Sequence, residues 1–177
     1  MSESLTAPAP SSPAAEKIIS RMLSPILLKG FMLAKLPLAL VAGLKVRELD
    51  RDRCVVTVPY GWRTTNPFRS TYFAALAMAA ELSTGALAML AVDLAGKTAP
   101  KPVAMLIVNM TAAFEKKATA LAAFTCPDGA KLAAAVARAV ETGEPATAEA
   151  ETVGRMADGT IVARFTFTWS FKARSGR

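Results

Sequence analysis

Glu81 is the one carboxylate in the middle of a long apolar stretch, residues 66–93, NPFRSTYFAALAMAAELSTGALAMLAVD. Ala74, Ala75, Leu76, Ala77, Met78, Ala79 and Ala80 precede it with no polar face, and Leu82, Ala86, Leu87, Ala88, Met89, Leu90 and Ala91 follow it. A carboxylate withdrawn from water without a partner is costly, or it stays protonated. Such a group is a candidate general base or nucleophile. The competing reading pairs it with an arginine or backbone donors, for stability or for register between subunits. Ser83 and Thr84 follow within a turn. Their hydroxyls either meet a water or substrate group or bond back to their own helix.

What the chain lacks narrows the chemistry. It has no histidine, so Ser-His-Asp and Cys-His nucleophile arrangements and histidine-held metals are excluded. No metal site and no cofactor is expected. Cys54 and Cys126 lie far apart in apolar, strand-like runs and read as buried reduced thiols. Twenty-one Lys and Arg against 14 Asp and Glu leave a net charge of +7, which favours anionic partners. Nucleic acid is not among those expected. Apart from Lys116 and Lys117 the cations stand singly, and no RNA-binding aromatic motif or helix-turn-helix signature is present.

These groups need elements to hold them. At 177 residues the chain is long enough for one domain with its own core. Residues 1–15, rich in Pro, Ser and Ala, read as a disordered tail, and 16–177 as a single domain with a helical N-terminal segment. No secretory signal is convincing, so a cytoplasmic location is expected. Residues 16–36 read as one or two short helices broken at Pro25. The apolar run 18–44 is interrupted by Arg21, Pro25, Lys29, Lys35 and Pro37, too often for a membrane span. A packed helix pair is the preferred reading, and a basic amphipathic segment lying on a membrane surface is the alternative.

Residues 44–49 and 54–58 read as a hairpin, followed by a loop over 60–66. Pro67 suits a first helical turn, with Asn66 as its cap, and the central helix is predicted to run to about Leu94. A transmembrane reading of this helix is opposed by the alternating strands that follow. Strands are predicted over 103–115, 119–126 and 147–156, with a helix over 130–141. Asp158-Gly159 is a hairpin signal. In the last strand Ile161, Ala163, Phe165, Phe167, Trp169 and Phe171 face one way and Val162, Arg164, Thr166, Thr168, Ser170 and Lys172 the other. The class is α+β: a long central helix, apolar all round, wrapped by a curved antiparallel sheet. A second subunit would close what the sheet leaves open and cover the edge strand 103–114.

Asn66, the helix after it and Glu81 carry a resemblance. The chain resembles the hotdog-fold acyl-thioesterase superfamily, in particular the branch of phenylacetate-pathway thioesterases and the uncharacterised thioesterase-like proteins related to them. In the active enzymes an Asn opens the loop before the helix, a His-Gly-Gly leads into it, and an Asp or Glu sits one to two turns inside. Asn66 and Glu81, fifteen positions apart, match this pattern. Tyr72-Phe73-Ala74 stands in place of His-Gly-Gly. The Phe73 and Ala74 amides remain, but a Cβ, and a phenyl ring above all, limits how closely a ligand approaches.

The resemblance implies hydrolysis of an acyl-thioester, with acyl-CoA the expected substrate. Glu81 would be base or nucleophile, Asn66 would orient the attacking water or the carbonyl, and the Phe73 and Ala74 amides would polarise the carbonyl. Tyr72 and Thr84 would contact substrate. Arg63 and Arg69 would meet coenzyme A phosphates, or stand as solvated surface arginines. Met78, Met89, Met105 and Met110 suit an adaptable acyl tunnel or an ordinary core. A homodimer or higher homo-oligomer is expected, with the site shared between subunits. The alternative function is a non-catalytic hotdog protein that binds acyl chains or acyl-CoA. A hydratase of this fold is excluded, because its Asp/His pair needs a histidine.

Overall fold

A computed structural model describes residues 13–96 and 102–174. Three short helices open the chain: α1 (Pro13–Leu23), α2 (Pro25–Lys35) and α3 (Pro37–Ala42). Each begins with proline, whose fixed φ and missing N–H suit the first helical position. Ser24 caps α2 by accepting the Leu27 amide, and Gly43, at φ 76°, ends α3 in a left-handed turn. The sequence pointed to one or two helices here; Pro37 starts a third. Most of the expected tail lies outside the described residues, and its last three positions, 13–15, belong to α1.

The hairpin β1 (Lys45–Leu49) and β2 (Cys54–Val58) follows as expected. The long helix α4 (Phe73–Ala95) leads on to β3 (Val103–Phe114), β4 (Ala122–Cys126), α5 (Gly129–Thr142), β5 (Ala146–Met156) and β6 (Ile161–Ala173). All six strands form one antiparallel sheet in the order β1-β2-β4-β5-β6-β3. The sheet wraps α4, with α5 and α1 packed beside it. This is the hotdog architecture. By length and composition α4 could cross a membrane, yet most of it is buried inside the protein, as the core helix of this fold must be.

Two features follow from strand order. Cys54 and Cys126, remote in sequence, are cross-strand partners on β2 and β4. Both are free and buried. Burial pushes the Cys126 thiol up to about 11 and Cys54 higher still, so neither offers a thiolate at neutral pH. The two sheet edges also differ. β1 is short and carries Lys45, Arg47 and Glu48, a blunted edge. β3 is twelve residues long and pairs only with β6. Leu106, Val108, Met110 and Phe114 on it are exposed.

Candidate functional site

The chain between β2 and α4 is a folded turn. The Asn66 side-chain oxygen accepts the amides of Phe68 (3.0 Å) and Ser70 (3.2 Å) and the Ser70 hydroxyl (3.3 Å). The Asn66 amide donates to Ser70 O and its carbonyl accepts the Arg69 amide. Arg69 adopts a left-handed φ of 57° to close the loop. Thr71 then donates its amide (2.7 Å) and hydroxyl (3.1 Å) to the Ala118 carbonyl, and Tyr72 N–H donates to Thr64 O. Those donations hold residues 66–72 out of the helix. α4 therefore starts at Phe73, not at Pro67, and Asn66 closes a turn rather than capping the helix.

Tyr72 occupies the cap position with no side-chain cap bond. The first two helical amides, Phe73 and Ala74, have no acceptor among the described residues. They form a positive helix end open to an oxyanion. The Tyr72 and Phe73 rings meet edge to face at 4.8 Å, and Phe73 meets Phe114 of β3 at 6.4 Å. Both side chains are exposed, so they wall the helix entrance from the side of the apolar sheet edge.

Within the single chain α4 is not covered on every side. Apart from its ends, the helix keeps partial exposure at Ala74, Ala77, Met78, Glu81, Met89 and Val92. Ala74, Ala77, Met78 and Glu81 follow one another at three- and four-residue spacing on one side, and Met89 and Val92 reappear on that side beyond the buried residues 82–88. β2, β4, β5, β6, α5 and α1 pack against α4 and leave the side that carries Ala74, Ala77, Met78 and Glu81 partly open.

The Glu81 carboxyl makes no ion pair or hydrogen bond with any described residue. Half-burial pushes its pKa up, and desolvation is the cause. No arginine among the described residues of the same chain pairs with it. Its place depends on Gly85, one turn on. A Cβ at Gly85 would stand 3.0 Å from Glu81 Oε1 and 3.4 Å from two ring carbons of Trp169. Gly85 is therefore the gap into which the carboxylate leans, above the indole. Sequence reasoning passed over Gly85 and Trp169. The available signal was a glycine four residues after the carboxylate in an alanine-rich helix, where it costs about 1 kcal/mol relative to alanine.

The other expected site residues divide. Thr84 is fully buried; its hydroxyl lies 3.0 Å from Glu81 O and accepts the Trp169 indole N–H at 3.1 Å. Those bonds fix the Glu81 turn against β6 and bury the hydroxyl away from any ligand, which corrects the expected substrate contact. Ser83, also buried, is spent on Ala80 O and Thr152 Oγ1. Arg63 and Arg69 are exposed and join none of the ion pairs among the described residues. Arg63 lies against Gly43, in a cleft of about 810 Å³ between α2, α3 and the β1–β2 hairpin. Lys29, Lys45, Arg47 and Arg63 line it with no carboxylate. Met89 and Met105 line a separate cleft of about 420 Å³ against α1, Met78 is partly buried, and Met110 is exposed on β3.

The sequence-remote parts do not all meet within one chain. No hydrogen bond joins Asn66 to Glu81. Phe73 and Glu81 are eight residues apart on one helix, about 12 Å along its axis. A carbonyl held at the Phe73 and Ala74 amides is thus beyond reach of the same chain's carboxylate.

Comparison with known proteins agrees on the fold. Residues 25–171 match the family described as "Domain of unknown function (DUF4442)". No curated protein sequence matches. Among solved structures, a Pseudomonas aeruginosa protein described as "Probable Thioesterase" superposes with a TM-score of 0.70 at 21% identity, covering 87% of this chain and 99% of that one. A Haemophilus influenzae thioesterase gives 0.60 at 11% identity, covering 88% and 95%. A mutant thioesterase of P. aeruginosa gives 0.61 at 12% identity, covering 87% and 98%. At these identities the likeness is one of fold.

Proposed function

We infer that this chain, which belongs to the DUF4442 family, is a thioesterase that hydrolyses acyl-CoA. The observation that carries the reading is Glu81: an unpaired, half-buried carboxyl with raised pKa on the open stripe of a helix whose first amides lack acceptors. The fold it shares with thioesterases supports the same chemistry.

In this mechanism the carbonyl oxygen sits at the Phe73 and Ala74 amides, where charge developing on it is stabilised. Glu81 removes a proton from water as the water attacks the carbonyl carbon. The tetrahedral intermediate collapses, the C–S bond breaks, and the coenzyme A thiolate leaves with the proton returned by Glu81. Raised pKa suits this role, because a base nearer neutral pH is also a competent acid. Asn66 orients the water or carbonyl through its side-chain NH₂, since its oxygen is occupied within the turn. The axial distance of about 12 Å between amides and carboxyl supports a site completed by a second copy, whose antiparallel helix brings its Glu81 to the first copy's Phe73. The bare β3 edge supports the same homodimer. The basic cleft with Lys29, Lys45, Arg47 and Arg63 supports an anionic carrier such as coenzyme A.

The second reading, an acyl-CoA binder without turnover, is favoured by the Phe73 side chain, which narrows access to the helix end. The deciding experiment measures free thiol released from a panel of acyl-CoAs, with binding measured in parallel. Turnover by the wild type and its loss in Glu81→Gln is expected. Binding without turnover selects the second reading, and neither binding nor turnover removes both. KM should rise with salt, because phosphate contacts to exposed cations are screened.

A further inference from the structure

The N-terminal helices carry an exposed apolar face that the thioester site does not use, set among cations of which Lys29, Lys45 and Arg47 also line the basic cleft. From Lys17 to Arg47 the chain has six cations, Lys17, Arg21, Lys29, Lys35, Lys45 and Arg47, and no Asp or Glu. None of the six joins an ion pair among the described residues. α2 buries Leu28 and Met32 against the core. Its opposite face carries Ile26, Gly30 and Leu33, an i, i+4, i+7 stripe pointing away from the protein. Ile26 is 82% exposed and Leu33 69%, and Leu38 on α3 is 72% exposed. These three side chains line none of the clefts described above. They stand out from the surface rather than forming a depression that would receive a protein side chain.

A third element extends the pattern. Trp62, 91% exposed, shares a shallow cleft with Ala42 at the end of α3. An exposed indole beside an arginine, here Arg63, and apolar side chains is the composition that partitions to the boundary between headgroups and acyl chains.

We propose that the outward face of α2 and α3, with Trp62 at its margin, docks on an anionic lipid bilayer. Ile26, Leu33 and Leu38 enter the acyl boundary. Lys29, Lys45, Arg47 and Arg63, whose cleft beside α2 and α3 holds no carboxylate, attract the anionic headgroups. Charge complementarity selects this occupant over a second copy of the chain. Two such faces pressed together would set cation against cation with no acid in either segment to pair them. The inference does not rest on the thioesterase reading, and its readout is independent of turnover.

The test uses the purified full chain and unilamellar vesicles of phosphatidylcholine, alone or with a minority of phosphatidylglycerol. Co-sedimentation is expected with the anionic vesicles only, weakening as salt rises. Trp169 is buried, so a blue shift and loss of quencher access on binding reports Trp62. The double variant Ile26→Asn, Leu33→Asn should lose at least about tenfold in vesicle affinity, because both apolar insertions are removed. Its thermal midpoint and its thiol-release activity on soluble acyl-CoA should stay unchanged, since both side chains face solvent. Lys29→Glu, three residues after Ile26 and four before Leu33 on the outward side of α2, should weaken binding about fivefold or more. Absence of binding to anionic vesicles, equal binding to neutral ones, or full binding by the double variant would overturn the proposal. So would a fall in oligomer size in the double variant without vesicle binding, which would assign the face to a second copy. Capture of an acidic acyl carrier protein without vesicle binding would assign it to a protein partner and overturn the proposal equally.

Discussion

Gly85→Ala separates what the fold needs from what the site needs. The substitution removes a helix-interior glycine, a gain of about 1 kcal/mol in helix propensity. Against this stands the new methyl, 3.0 Å from Glu81 Oε1 and 3.4 Å from the Trp169 ring. The ring contact is ordinary, but the carboxylate must give by a few tenths of an ångström. Pushing a flexible side chain off its rotamer costs about 0.5–1.5 kcal/mol. The terms nearly cancel, so the thermal midpoint should move by no more than about 4 °C in a domain of this size. Activity has no such cancellation. The carboxylate is displaced from the reacting water, and the methyl desolvates it further. We expect kcat/KM for the best acyl-CoA substrate to fall at least tenfold, equivalent to about 1.4 kcal/mol of transition-state stabilisation. The acid limb of the pH–rate profile should also shift upward. The assay is thiol release across pH, paired with thermal unfolding of the same samples. A Gly85→Ala protein with wild-type kcat/KM and an unshifted profile would refute the idea that the glycine makes room for a working carboxylate.

Glu81→Gln should abolish thiol release while making the protein more stable at neutral pH. The folded state raises the Glu81 pKa by burial, so the native protein holds this proton more tightly than the unfolded chain does. Wild-type stability then falls as pH rises from the ordinary glutamate value through the raised one. The stability gap between variant and wild type, read from urea midpoints, should be present at pH 7 and close as pH drops below the ordinary glutamate pKa. A gap of the opposite sign would mean that Glu81 is held by a partner. Mixing inactive Asn66→Ala with inactive Glu81→Gln under subunit exchange should restore activity, because a shared site leaves one of two pockets intact. A monomer in sedimentation at micromolar concentration, or proven exchange without regain, would refute the shared site. Gly154→Ala should destabilise by about 1–3 kcal/mol, because the added methyl would lie 2.5 Å from the buried Phe124 ring on the neighbouring strand. An unchanged urea midpoint would show that the ring can move aside.

Local chemistry in the sequence determined most element types. The alternation of β6 from Ile161 to Phe171, the Asp158-Gly159 turn and the proline starts of the N-terminal helices are set by interactions within a few residues. The composition of α4 was enough to mark it as the core helix and Glu81 as its exceptional residue. The apolar run of β3 likewise announced an edge in need of cover, though the order β1-β2-β4-β5-β6-β3 placed it at the edge.

Only the tertiary structure decided where α4 begins and which side of it stays open. The first depends on Thr71 donating to Ala118, 47 residues away, and on Asn66 turning its side chain back onto Phe68 and Ser70. Helical propensity reports neither bond. The second depends on which strands and helices pack round α4, and a helix apolar on every side carries no periodicity to reveal it. The role of Gly85 emerged for the same reason. A missing Cβ matters only once Trp169, brought across from the last strand, and the Glu81 carboxylate converge on the space it leaves.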